Sequence, residues 1–287
     1  MQVRVLSWNL FHGRDFPPEP SLLSWRSRLL RTTERGRSHA QVNRDLLDSF
    51  AGVLASTDWD VALLQEVPPR WAERLATECR AVPHLVLTSR NIPWLRRLQA
   101  LAADFNPDLI ASWEGGSNLT LVRTERADRP AIIERRMLRL ALLPERRAMV
   151  FSRLDCGLCV ANLHASAART AAERELPRAA AAAIAWAEGS PLVLGGDFNL
   201  RPALSRHVFE ALAREHCLEA PTGERVIDHL LTRGAEVVEP PRRWAPEGRE
   251  VPDPTASGGR RLPIRLSDHA PVEVLIELPG RSGPGDP

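Results

Sequence analysis

Residues 192–202 read LVLGGDFNLRP. The short apolar run Leu192–Gly195 predicts the end of a buried strand. Gly195 and Gly196 then allow a tight turn, after which a carboxylate (Asp197) and a carboxamide (Asn199) stand two residues apart. In extended backbone, such a spacing places both on one side. A carboxylate only accepts hydrogen bonds, whereas an amide both donates and accepts, so the pair suits holding a water whose proton is to be removed. Alone, the same residues also suit a plain turn after a strand, because Gly, Asp and Asn are common turn formers. The rest of the chain decides between the two.

The pattern recurs. Asn9 ends the alternating strand expected over Val3–Ser7, and Glu66 follows the apolar run Val61–Leu64. His164 ends Asn162-Leu163-His164, Asp228 lies in Ile227-Asp228-His229, and Asp268 and His269 follow Leu266-Ser267. Strand ends hold catalytic groups because the sheet fixes them while loops leave room for substrate. Six apolar runs that end in acid–base or metal-binding types exceed what turn chemistry needs.

Between these points the expected elements alternate. Helices are predicted over Val42–Leu54 (capped by Ser38), Arg70–Cys79, Ala167–Glu188 and Arg206–Glu215, with Pro177 as a kink or boundary. Further strands are predicted at Leu85–Thr88, Asn118–Arg123, Met137–Leu142, Ala148–Leu154, Leu158–Leu163, Val226–Thr232 and Pro271–Leu278. Two long irregular stretches are expected, Ser89–Ser112 (with a helical-looking Leu98–Ala103 inside it) and the Pro- and Gly-rich Pro240–Gly259, with a disordered tail over 280–287. No repeat or composition break divides the chain, so one α/β domain over residues 1–279 is expected.

With 287 residues and 44% hydrophobic content, the chain can bury a substantial core. The net charge of +2 leaves no strong polyanion footprint, and every one of the 38 Lys+Arg positions is Arg. Cys156 and Cys159 have redox or zinc spacing, but no second pair accompanies them. Without a signal pattern or a bilayer-length apolar run, a cytoplasmic protein is expected. His12, His39, His84, His207 and His216 lack motif support and are expected to pack or face solvent, as are Trp25, Trp71 and Trp186 to pack. Trp94 among Arg90, Arg96 and Arg97 is expected to be a solvated loop with one anchoring Trp, with contact to nucleobases or a lipid surface as the alternative.

SWNLFHG, ALLQEV, NLHAS, LGGDFN, VIDHLL and LSDHAPV, in this order, resemble the endonuclease/exonuclease/phosphatase superfamily from about Val3 to Leu278. The resemblance implies a four-layer sandwich of two facing mixed β-sheets flanked by helices, with the site at one end. It also implies a Mg²⁺ ion held by Glu66, with Asn9 beside it and Asp268 completing the acidic cluster; Mn²⁺ is expected to substitute. Asp197 would position or deprotonate water and Asn199 would bind phosphate. His269, oriented by Asp228, would sit at the scissile phosphate, and His164 would donate to the phosphate or leaving group. Two departures, His164 where abasic-site repair enzymes carry Tyr and Leu10-Phe11-His12 after the Asn, argue against that branch. A phosphodiester substrate, nucleic acid foremost, is expected because no Arg cluster adjoins these motifs in sequence. Phosphomonoester or phospholipid-headgroup hydrolysis is the alternative, and a non-catalytic binding module ranks last.

Overall fold

The computed structural model describes residues 1–89, 95–124, 130–143, 145–219, 221–256 and 261–279. Its strands form two large mixed sheets. In the first, the order is Glu236–Arg243, Val272–Glu277, Gln2–Asn9, Val61–Gln65, Ser117–Arg123, Ala81–Leu87. In the second it is Asp228–Arg233, Leu192–Asp197, Cys159–His164, Arg147–Leu154, Ile132–Ala141. Each contains one parallel pair, Gln2–Asn9 with Val61–Gln65 and Cys159–His164 with Leu192–Asp197.

Alternation along the strands sorts side chains into three apolar layers. Val3, Val5, Val61, Leu63, Val160, Val193, Leu230 and Val274 fill the space between the sheets. Leu6, Trp8, Ala62 and Leu64 point the other way, onto the helices Leu47–Ser56 and Ala72–Glu78 through Phe50, Trp71 and Leu75. Cys159, Ala161, Leu192 and Leu194 likewise meet the helices Arg169–Ala187 and Arg206–His216. Helix, sheet, sheet, helix is the expected sandwich. Near the site the gap turns polar: Gln65 Nε2 donates to Asn162 Oδ1 at 2.8 Å, and Asn162 Nδ2 donates to the Leu64 carbonyl at 3.1 Å. These bonds engage the buried amide N–H groups and tie one sheet to the other.

The two glycines of the opening motif are set by packing. A Cβ on Gly195 would collide with Leu230 and Leu63 in the gap, and one on Gly196 (φ +137°) would overlap the Leu163 carbonyl of the neighbouring parallel strand.

Several expectations require correction. Ser38 caps no helix; its N–H and hydroxyl bind Glu19, and the helix starts at Leu47. Ser89–Ser112 is largely regular, holding the helix Arg96–Phe105 and the start of Pro107–Glu114. Pro240 and Pro241 lie in the edge strand Glu236–Arg243, where a missing N–H leaves no inner ladder broken. Helix Arg169–Ala187 continues through Pro177. Trp25 is exposed rather than packed, whereas Trp71 is buried. Arg90, Trp94 and the tail 280–287 lie outside the described residues. The four cysteines are free, and no described helix is long and apolar enough to cross a membrane.

Candidate active site

Strand parity delivers most of the site. Asn9 shares its face with Val3, Val5 and Ser7, Asp197 with Val193, His164 with Val160, and Asp228 with Leu230, so all four point into the gap between the sheets. Asp197 is paired with His164 on one side and Asp228 on the other, placing three of them on one rung of the second sheet. His229 faces outward, where its Nε2 lies 3.1 Å from the Leu200 carbonyl and 3.0 Å from that of Val226.

Glu66 breaks this alternation. By parity it belongs with Ala62 and Leu64, away from the gap, but its φ of +50° redirects the chain at the strand end. Phe11, His12, Asn199 and Ser267 are left-handed too, so five of the nine such non-glycine residues among those described surround the site. Each such residue costs about 1–3 kcal/mol, and such strain gathers where a fold must aim a functional group.

Asp197 is the centre of the polar network. Its Oδ2 accepts from Asn9 Nδ2 at 3.0 Å, and its Oδ1 accepts from the Asn199 backbone N–H at 3.0 Å. His164 Nε2 lies 3.6 Å and His269 Nε2 3.8 Å from the same Oδ2. Burial and the neighbouring Asp228 push the Asp197 carboxyl up to about 7, against the opposing pull of His269. Asp228 accepts from His269 Nδ1, with its two oxygens 3.0 and 2.9 Å away. Burial disfavours charge on that imidazole, but Asp228, Asp197 and Asp268 outweigh it and hold the group at about 10. Asn199 gives its amide N–H to the Ala165 carbonyl at 3.1 Å, leaving its Oδ1 and a second N–H for other partners.

Across from Asp197 lie Glu66 and Asp268. Glu66 stands 3.3 Å from His12 Nε2 and 3.7 Å from His164 Nε2. Burial works to raise its carboxyl, yet His12, His269 and Arg147 hold it at about 2. Burial and the Glu66 charge raise Asp268, whose buried Oδ1 makes no hydrogen bond. A buried, unsatisfied carboxylate oxygen beside a second carboxylate is a donor set suited to a hard divalent cation, which takes oxygen ligands. Asn9 Oδ1 already accepts from the Phe11 N–H at 2.9 Å, which fixes the amide beside that set. Asp197, Asp228 and His269 also present ligand atoms within 4.8 Å of one another. The His269–Asp228 bond accounts for that grouping without an ion.

Arg147 escapes sequence reading, His12 is set aside there for want of a motif, and Arg14 stands out only as close in sequence. Arg147 places Nη1 3.0 Å from His164 Nδ1 and 3.1 Å from Nε2, and with burial, which acts more strongly, it lowers the imidazole to about 3. His164 is therefore neutral: one ring nitrogen accepts from Arg147 and the other carries the hydrogen. His12 and Arg14 join Arg147, Thr88 and Ser89 around a recess of about 240 Å³ that reaches Glu66 and His164. No Arg cluster adjoins the motifs in sequence, but Arg14 and Arg147 meet in space from distant segments. His12 alone had a signal, three residues beyond Asn9 in SWNLFHG.

The sequence model of the Endonuclease/Exonuclease/phosphatase family matches residues 6–269. Comparison with curated proteins returned no match. Among solved structures, an endonuclease/exonuclease/phosphatase family protein from Bacteroides thetaiotaomicron superposes with a TM-score of 0.61 at 15% identity, covering 97% of this chain and 98% of that one. The mannosyl-6-phosphatase of the same organism gives 0.59 at 15% identity, covering 95% and 98%. A humanized Danio rerio TDP2 gives 0.52 at 15%, covering 96% and 99%. At such identities these structures share the fold, while the match across most of the chain fixes the lineage: the protein belongs to the endonuclease/exonuclease/phosphatase family.

Proposed function

We propose that the protein is a divalent-cation-dependent hydrolase that opens a phosphoester bond by direct attack of water. The observation that carries this reading is the position of the Asp197 carboxylate between the Asn9 amide and the His269–Asp228 pair, with burial raising its carboxyl toward neutrality. A general base works best with a pKa near the operating pH, and burial has tuned Asp197 to that range.

Glu66 and Asp268, with Asn9 beside them, would hold Mg²⁺ or Mn²⁺. When bound, that ion offsets negative charge on the phosphoryl oxygens. The remaining work falls to the chain. Asp197 orients a water through one carboxylate oxygen and takes its proton. His269, kept charged by Asp228, faces the charge that grows on the phosphoryl group, a preorganised stabilisation. Neutral His164 donates its remaining N–H to a phosphoryl oxygen, and Asn199 offers a further amide hydrogen.

A phosphodiester, with nucleic acid foremost, remains the primary substrate reading because a single negative charge needs few donors. Arg14 and Arg147 beside Glu66 favour a second reading, a phosphomonoester whose dianion takes several cationic donors. The test is turnover of plasmid DNA, RNA, a generic diester and a generic monoester with Mg²⁺, and again in excess chelator. Hydrolysis of at least one class, lost on chelation and restored by Mg²⁺ or Mn²⁺, is the expected result. Undiminished turnover by the stripped protein overturns the cation assignment, and failure on all four classes overturns the hydrolase reading.

A further inference from the structure

The recess at Glu66 is small. Its 240 Å³ falls below the roughly 300–1,000 Å³ of pockets that enclose a ligand, so it holds a phosphoryl group and little else. Glu145 and Arg147 line it, and the same two residues also line a second, adjoining cavity of about 620 Å³. That groove runs between the ends of the strands Ile132–Ala141 and Arg147–Leu154 and the start of helix Arg169–Ala187. Arg147 is the shared wall: one guanidinium nitrogen reaches His164 and another donates to Glu145 at 2.8 Å.

The apolar floor of the groove is made by Leu140 and Ala171, with the exposed Leu143, Ala167 and Ala168 at its rim. Its charge is one-sided once internal pairs are removed. Glu175 is buried and spent on Ser166, accepting from the backbone N–H at 2.7 Å and the hydroxyl at 2.6 Å. Glu145 is engaged by Arg147. Arg174 and Arg178 then stand at i and i+4 on the helix, both lining the cavity. Like charges at that spacing oppose helix formation, a penalty that an anion between them removes. Arg178 is held toward the groove by its bond to the Leu140 carbonyl at 3.1 Å. The helix also begins at the groove with no side chain capping Ala168, which leaves its first N–H groups without that partner.

We propose that this groove binds the organic group esterified to the phosphate, and that this group is apolar in body and carries a second anionic function. Ala167, Ala168, Ala171 and Leu140 cover the body, while Arg174 meets the anion. The inference rests on the phosphoesterase reading for its link to turnover, but the groove's affinity can be read without it.

The first arm measures binding of 4-butylbenzoate, an apolar carboxylate without phosphorus, by isothermal titration. Wild-type protein is expected to bind it, with affinity at least tenfold weaker in Ala171→Leu, which fills the floor, and in Arg174→Glu, which reverses the exposed charge. The second arm compares 4-carboxybenzyl and ethyl phosphates, each as monoester and methyl diester. In whichever series turns over, the kcat/KM ratio of carboxybenzyl to ethyl ester should exceed ten and fall at least tenfold in both variants. No binding by the wild type, equal binding by both folded variants, or an unchanged ratio overturns the groove assignment. Binding lost in both variants, with no ester hydrolysed by the wild type, supports the groove and overturns the phosphoesterase reading instead.

Discussion

Asp228 and His269, forty-one residues apart in the chain, meet through a hydrogen bond of 2.9 Å that also joins the two sheets. The carboxylate fixes which imidazole nitrogen carries hydrogen toward it and leaves Nε2 facing Asp197. His269→Ala is therefore expected to lower kcat by about 10²–10⁴. Asp228→Asn retains the ring and should cost less, because Asp228 acts through His269. Steady-state kinetics of both variants check this; equal losses would move Asp228 into direct contact with substrate or cation.

Arg147 is expected to matter as much as any motif residue. Its guanidinium faces His164 and lines the recess at Glu66, where a phosphoryl oxygen would sit. Arg147→Ala should lower kcat/KM by on the order of 10²-fold, comparable to removing one preorganised donor. Arg147→Lys should recover only part of it, since an ammonium lacks the fork that reaches His164 and Glu145 together. Full recovery with Lys would reduce the requirement to positive charge alone.

The identity of Gly196 is dictated by its neighbour. Any Cβ there overlaps the Leu163 carbonyl, and its φ of +137° is hostile to other residues. Gly196→Ala is expected to lose at least about 1–3 kcal/mol of stability from backbone strain, before the collision is counted. Urea denaturation followed by circular dichroism measures the loss; a wild-type midpoint would mean that the parallel strands can part without penalty.

Glu19 supplies a pH-dependent term far from the site. Its carboxylate accepts backbone N–H bonds from Arg37, Ser38 and His39, and a bond from the Ser38 hydroxyl, which lower it from 4.5 to about 2. A depressed carboxyl stabilises the fold above its unfolded value, and that contribution disappears as pH falls through the folded value. Glu19→Gln should therefore lower Tm at pH 7. The gap to wild type should close between about pH 4.5 and 2. A gap of constant size across that range would assign the effect to packing rather than to the charge.

Much of this was legible because strand ends announce themselves. Asn9, His164, Asp197 and Asp228 each follow alternating or apolar runs whose parity aims them inward, and the structure brings all four together. Glu66 was legible by motif but not by parity, since only its left-handed backbone brings it in. Arg147 was hidden for a plain reason: it is one of 38 Lys+Arg positions, all Arg, and nothing local separates it from the others. The helix Arg96–Phe105 was legible in part, as helical-looking Leu98–Ala103, whereas its bounds and the helix Pro107–Glu114 were obscured because Leu98, Leu101, Phe105 and Leu109 are exposed, so apolar periodicity there does not report a buried face. Pro240 and Pro241 signalled a loop, but an edge strand tolerates them.

Asn9, Glu66, Asp268 and His269 are carried by one sheet or by the loops at its edge, while His164, Asp197 and Asp228 are carried by the other. The chemistry thus depends on how two slabs are seated against each other, not on either slab alone. A shear of one residue repeat, about 3.3 Å, would carry Asp197 out of reach of Asn9 and His269 while leaving every ladder within each sheet intact. Heat or denaturant can then dismantle the site before the secondary structure melts, and a ligand gripping both slabs acts as a rivet that raises the temperature at which they slip.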